Sequence, residues 1–143
     1  MIRWTTFATT CERRKMRAIL DTHAFLWFIT DDARLSTAAG NVIEGEADDL
    51  LLSVASIWEI AIKVGLGRLP LPAPIHTFLP RQIAANDLRL LPIAMRHALS
   101  VATLPLHHRD PFDRMLVAQA LTEDVPILSA DAELDRYGVQ RLW

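Results

Sequence analysis

The sequence predicts an α/β domain whose parallel sheet is covered by helices on both faces. Two observations predict it. Short apolar runs of strand length alternate with longer segments of helical period. The strand-like runs are apolar throughout rather than alternating, the pattern of strands buried on both sides. Hydrophobic residues make up 51% of the 143 positions and charged residues 22%. That balance supports a core and excludes global disorder, and the length suits a single domain.

The elements follow in order. Ala18-Ile19-Leu20 is a short apolar strand that stops at Asp21. His23 to Ile29 reads as a helix, and Ser36 as the N-cap of a second one reaching about Glu44. Leu50 to Val54 is the second strand. Ser56 to Leu66 is a long apolar helix closed by Gly65 and Gly67. Pro70, Pro72 and Pro74 lead into a helix over Ile75–Ala85. Leu88 to Pro92 is the third strand, followed by a helix over Ala94–Ala102. Asp110-Pro111 opens a helix running to Glu123, because proline suits the first helical position. Pro126 to Ser129 is the fourth strand and again ends near an aspartate, Asp131. A short helix and a last segment, Val139–Trp143, close the chain.

Residues 1–15 differ from the rest. They are Thr-rich and end in Glu12-Arg13-Arg14-Lys15, and they lack the apolar stretch of a secretory signal. They read as an extension ahead of a domain spanning 16–143. The longest apolar run, Ala24–Ile29, is far too short to span a membrane. One cysteine, Cys11, excludes an intrachain disulfide framework and a thiolate zinc cluster. A reducing, cytoplasmic setting is the expectation. The net charge of −2 does not mark a nucleic-acid binder by bulk charge, so a phosphate polymer would need a cation or local arginines to approach.

Four acids stand out. Asp21 and Asp131 follow strands, where ligands bind in open parallel sheets; capping of the next helix is the alternative. Ser56, Glu59 and Lys63 form one polar stripe on a helix whose apolar composition predicts burial on most sides. The alternative is an exposed Glu59–Lys63 pair. Asp113 heads a face continued by Leu116, Val117 and Ala120, all apolar. Capping explains Asp110 well and Asp113 less well. A parallel sheet can bring all four to one edge. Carboxylates about 5 Å apart repel by about 3 kcal/mol per pair at an effective dielectric near 20. Such a cluster needs protons or a divalent ion, and oxygen donors select magnesium or manganese. His107 and His108 read as a polar loop leading into the Asp113 helix, with phosphate contact as the alternative. His23, His76 and His97 lie at no metal-ligand spacing and are expected at the surface or the core edge.

Four motifs appear in order: Ile19-Leu20-Asp21-Thr22-His23, Ser53 through Ile60, Arg109 through Ala120, and Ile127-Leu128-Ser129-Ala130-Asp131. Together they resemble PIN-domain ribonucleases, specifically the toxin half of VapBC-type toxin–antitoxin pairs. The likeness covers 16–143. It implies a PIN-like three-layer α/β/α sandwich with a central, mainly parallel sheet of four to five strands. It also implies an endoribonuclease dependent on Mg2+ or Mn2+. Asp21, Glu59 and Asp113 match the family's acidic triad, and Asp131 its fourth acid. Asp21 and Asp113 are the first choice as direct metal ligands. Thr22, Asp110, Arg109 and Ser129 are candidates for supporting or substrate contacts. The implied partners are RNA, an antitoxin encoded nearby, and a second copy in a homodimer, with no membrane. An aromatic groove near Phe25, Trp27 and Trp58 would suit the antitoxin.

Two other functions compete. A magnesium-dependent phosphohydrolase of the dehalogenase type would carry Asp-x-Asp after the first strand, but Thr22 and His23 follow Asp21 here. A catalytically silent binding module would use the acids only for capping and solubility.

Overall fold

A computed structural model describes residues 15–143; the expected extension over 1–15 lies, save for Lys15, outside the described residues. Five strands form one sheet: β1 (Arg17–Leu20), β2 (Asp49–Ser53), β3 (Arg89–Leu91), β4 (Ile127–Leu128) and β5 (Arg141–Leu142). Their order across the sheet is β3-β2-β1-β4-β5, and every pairing is parallel. The connecting helices are α1 (Thr22–Ile29), α2 (Thr37–Asn41), α3 (Val54–Gly65), α4 (Ile75–Ala85), α5 (Met95–Ser100) and α6 (Pro111–Glu123).

The apolar strand runs divide by pleat between two cores, since successive side chains point to opposite faces. Ala18, Leu20, Leu50 and Leu52 face one layer with Phe25, Ile60 and Phe78 from α1, α3 and α4. Ile19, Leu51 and Ile127 face the other with Leu116, Val117 and Ala120 from α6. This is the expected three-layer sandwich, with five strands. Among the described residues no helix is long and apolar enough to cross a membrane.

Register positions the site. Leu20 lies opposite Leu52 on one side and Leu128 on the other. The residues that leave these strands, Asp21, Ser53 and Ser129, therefore share the carboxyl edge of the sheet.

Some expected boundaries move. Ser53 caps α3 by accepting from the Ala55 N–H at 3.0 Å, which places Val54 in the helix instead of the strand. The second helix runs past Glu44 in a wider turn, in which the Ala47 N–H bonds to the Val42 carbonyl. The helix expected over Ala94–Ala102 tightens after Ser100 into a short turn over Val101–Thr103. α3 is not buried on most sides, because Val54, Trp58 and Ile62 are exposed. His97, expected at an edge, is 1% exposed. Its Nδ1 accepts from the Ala94 N–H and its Nε2 meets Glu123 at 2.7 Å.

Candidate active site

Each acid has a distinct local anchor. Asp21 caps α1, with Oδ1 accepting from the His23 N–H at 3.4 Å. Its Oδ2 accepts from the Ser129 hydroxyl at 2.6 Å, a bond between the ends of neighbouring strands. Burial raises the pKa of Asp21, and this hydroxyl opposes the rise. Next to it, the Thr22 hydroxyl donates to Ser56 at 2.8 Å, in the core between α1 and α3. Glu59 is buried, its side chain 8% exposed, and Lys63 one turn on reaches it at 3.1 Å. The polar stripe of α3 thus turns inward at Ser56 and Glu59, and the alternative Glu59–Lys63 pair exists with its acid buried.

Asp110 caps α6, its Oδ1 accepting from the N–H groups of Phe112 and Asp113. Asp113 itself is partly buried, and its carboxylate has no hydrogen-bond partner among the described residues. Its pKa is pushed up to about 7, first by burial and then by the charges of Asp110, Asp21 and Glu59, with His108 opposing. Asp113 is therefore where the charges of acids from three chain segments converge. Asp131 caps the short turn Ala132–Tyr137, with Oδ1 accepting from the Glu133 N–H at 3.0 Å. The Ser129 hydroxyl also accepts from the Asp131 N–H at 3.1 Å, so one hydroxyl links two of the acids.

Among the described residues, His108, Asp113 and Asp131 each offer a donor atom within 4.8 Å of the others. Asp21 and Glu59 fall outside that triplet, although both influence Asp113 electrostatically. The group can hold a metal. Its carboxylate-rich donors suit a hard divalent cation, and Asp113 is a carboxylate short of a counter-charge.

Two residues carry more of this site than the sequence suggested. His108 is no bystander in a polar loop: its Nε2 lies 2.9 Å from Asp131 Oδ2. Arg114 ties the preceding loop to α6 by donating to the carbonyls of Val101, Leu104 and Pro105. The position of His108 two residues before the Asp110 cap was its only signal, and Arg114 gave none. Arg109 is exposed and lines a cavity of about 380 Å3 with Trp58, Phe112 and Met115.

Phe25, Trp27 and Trp58, the residues of a groove that would suit an antitoxin, do not share one surface. Phe25 is fully buried in the core. Trp27 packs against Trp143 and His23 at 5.8 Å between ring centroids. Trp58 packs edge-on against Phe112 at 5.1 Å, at the cavity that both line with Arg109.

Comparisons with known proteins agree with this architecture. The PIN domain family model matches residues 18–140. Ribonuclease VapC22 of Mycobacterium tuberculosis is 31% identical over 117 residues, which is 81% of this chain and 88% of that protein. Among solved structures, VapBC2 from Rickettsia felis bound to a promoter DNA fragment aligns with a TM-score of 0.66 at 11% identity, covering 88% of this chain and 97% of that one. DNA-bound VapBC from Salmonella typhimurium aligns with a TM-score of 0.61 at 15% identity, covering 88% and 96%. With this family match, this relative and the five-stranded parallel sheet, the chain belongs to the PIN-domain family, as a VapC-like member.

Proposed function

We propose that the protein is a magnesium- or manganese-dependent endoribonuclease, the toxin of a toxin–antitoxin pair. The observation that carries this reading is Asp113, a carboxylate without a hydrogen-bond partner among the described residues, raised toward neutrality first by burial and then by Asp110, Asp21 and Glu59. Such a site holds more negative charge than its own residues offset. The 31% identical relative named a ribonuclease supports the same reading.

Asp21 and Asp113 are the proposed direct ligands, with Glu59 and Asp131 acting directly or through water. A bound divalent cation would lower the pKa of a water and stabilise charge on the departing oxygen. Ser129 orients Asp21 through the 2.6 Å bond. Thr22 braces α1 against α3. Asp110 sets the start of α6 and hence the direction of Asp113. Arg109, exposed at the same end of α6, is available to a backbone phosphate. Water adds to phosphorus, the bond to the 3′ oxygen breaks, and that oxygen leaves as a hydroxyl after taking a proton. The products then carry a 5′-phosphate and a free 3′-hydroxyl.

The partners follow the same reading: RNA, a cognate antitoxin, and a second copy of the chain, all in the cytoplasm. The homodimer has a specific candidate face. Trp58, Leu99 and Leu106 are 59%, 65% and 78% exposed around α3, α5 and the loop before α6, and large exposed apolar patches mark interaction surfaces.

The test is cleavage of RNA by the purified chain with Mn2+ or Mg2+, and its loss with a chelator. Asp21→Asn and Asp113→Asn should abolish cleavage with an unchanged circular-dichroism spectrum. Expression of the intact chain should arrest bacterial growth, and expression of either variant should not. A 2′,3′-cyclic phosphate end, or full activity in chelator, would overturn the proposal.

A further inference from the structure

The roles assigned above leave His108 without one, although it sits inside the donor group. We infer that His108 is a positioning residue for Asp131: an imidazole that donates from Nε2 and holds the Asp131 carboxylate toward Asp113. The inference rests on the metal-dependent reading and adds a residue to it.

Three observations support it. First, Asp131 is the acid most in need of restraint. Its side chain is 41% exposed, and Oδ1 is engaged by the Glu133 N–H. The bond from His108 Nε2 to Oδ2, at 2.9 Å, fixes the remaining rotation of the carboxylate. Second, His108 is itself held firmly. Its backbone N–H donates to the Tyr137 hydroxyl at 2.7 Å, and its ring lies 5.5 Å from that of Tyr137. Tyr137 ends the same short turn that Asp131 caps, so backbone and ring are registered against one element. Arg114 fixes the loop leading to His108 through three carbonyls.

Third, His108 Nδ1 is buried and has no partner among the described residues. A proton there would be a buried donor without an acceptor, whereas a bare Nδ1 is the cheaper of the two states. The proton therefore belongs on Nε2, where Asp131 accepts it. The same point separates positioning from direct ligation. A histidine that binds metal through Nε2 carries its proton on Nδ1 and donates it to an acceptor, and the described residues offer none.

The experiment begins with the metal-free protein at pH 8. Nitrogen-15 NMR of the histidine ring should show the Nε2-protonated tautomer for His108; the Nδ1-protonated pattern overturns the inference. Mn2+ is then titrated and followed by electron paramagnetic resonance. His108→Leu, which removes the donor, should weaken Mn2+ binding by about 10- to 100-fold, the usual effect of losing a group that orients a ligand. It should lower kcat for RNA with little change in KM. His108→Gln places an amide N–H near the Nε2 position and should recover most of the affinity. Equal Mn2+ affinity in His108→Leu and the unmodified chain overturns the inference. So does a nitrogen-14 coupling on bound Mn2+ that disappears in His108→Leu, which would make His108 a ligand. Failure of the unmodified chain to bind Mn2+ instead removes the metal reading itself, and the tautomer measurement distinguishes that case.

Discussion

Asp113→Asn should make the metal-free protein more stable while abolishing its activity. The magnitude follows from the site. Moving the Asp113 pKa from 3.8 to about 7 is roughly three units, or about 4 kcal/mol at 1.36 kcal/mol per unit. The group is still partly open to water, and screening reduces this to about 2 kcal/mol. The sign is fixed by linkage. Between pH 3.8 and 7 the native state keeps a proton that the unfolded chain has lost, so stability falls as pH rises through that window. Above pH 7 the folded protein carries the full cost of the ionised carboxylate beside Asp21, Glu59 and Asp110. Asparagine removes that charge, and no hydrogen bond of the Asp113 carboxylate is lost with it. The assay is a thermal melt in chelator at pH 8.5 and pH 4. At pH 8.5 the variant should melt about 6 °C higher, using about 3 °C per kcal/mol for a domain of this size. At pH 4 the difference should nearly vanish. Excess Mn2+ should raise the melting temperature of the unmodified chain and leave the variant unmoved. A variant that melts at or below the unmodified chain at pH 8.5 would refute the reasoning.

Three further outcomes are expected. Ser129→Ala removes the donor to Asp21 Oδ2 and the acceptor for the Asp131 N–H. It should raise the Asp21 pKa further, read by carbon-13 NMR of the carboxyl group, and cost about 1.5–3 kcal/mol in urea melts at pH 7. Glu123→Gln weakens the bonds from His97 and Arg96 that hold Glu123 below its ordinary 4.5. Its cost, about 1.5–3 kcal/mol at pH 7, should fade as pH falls below 4.5 and through the lower folded value, where both chains carry a neutral side chain. Phe25→Ala empties a fully buried position at the centre of one core layer and should cost about 3–5 kcal/mol; a loss under 1 kcal/mol would contradict that packing.

Much of the fold was legible because strands buried on both faces cannot alternate, and the runs at Ala18, Leu50 and Pro126 do not. The Asp110-Pro111 start of α6 was equally legible, since both residues have one good place on a helix. The polar contents of the interior were harder to read. The Ser129 hydroxyl bonds across 108 positions of sequence to Asp21, and His97 finds Glu123 across 26. No local spacing encodes such pairs; they exist only once register has been set. α3 misled for a different reason. Its apolar residues satisfy the core on one side, while Trp58 and Ile62 form an outward face on the other, and composition cannot distinguish a core contact from an uncovered one. His108 stayed hidden because its partner, Asp131, arrives through the fourth strand.

The pairing of β1 with β4 has a consequence for how such a protein can change. Adjacent strands sit about 4.8 Å apart, and Ile19 and Leu20 are locked opposite Ile127 and Leu128. The interval between Asp21 and Ser129 is thereby quantised by main-chain pairing. Substitutions on the outward faces of the helices leave that ruler untouched, so a lineage is free to rebuild its surface without retuning its chemistry. Deleting one residue from either strand would instead shift an acid by a whole step, with no intermediate setting at which selection could rescue it.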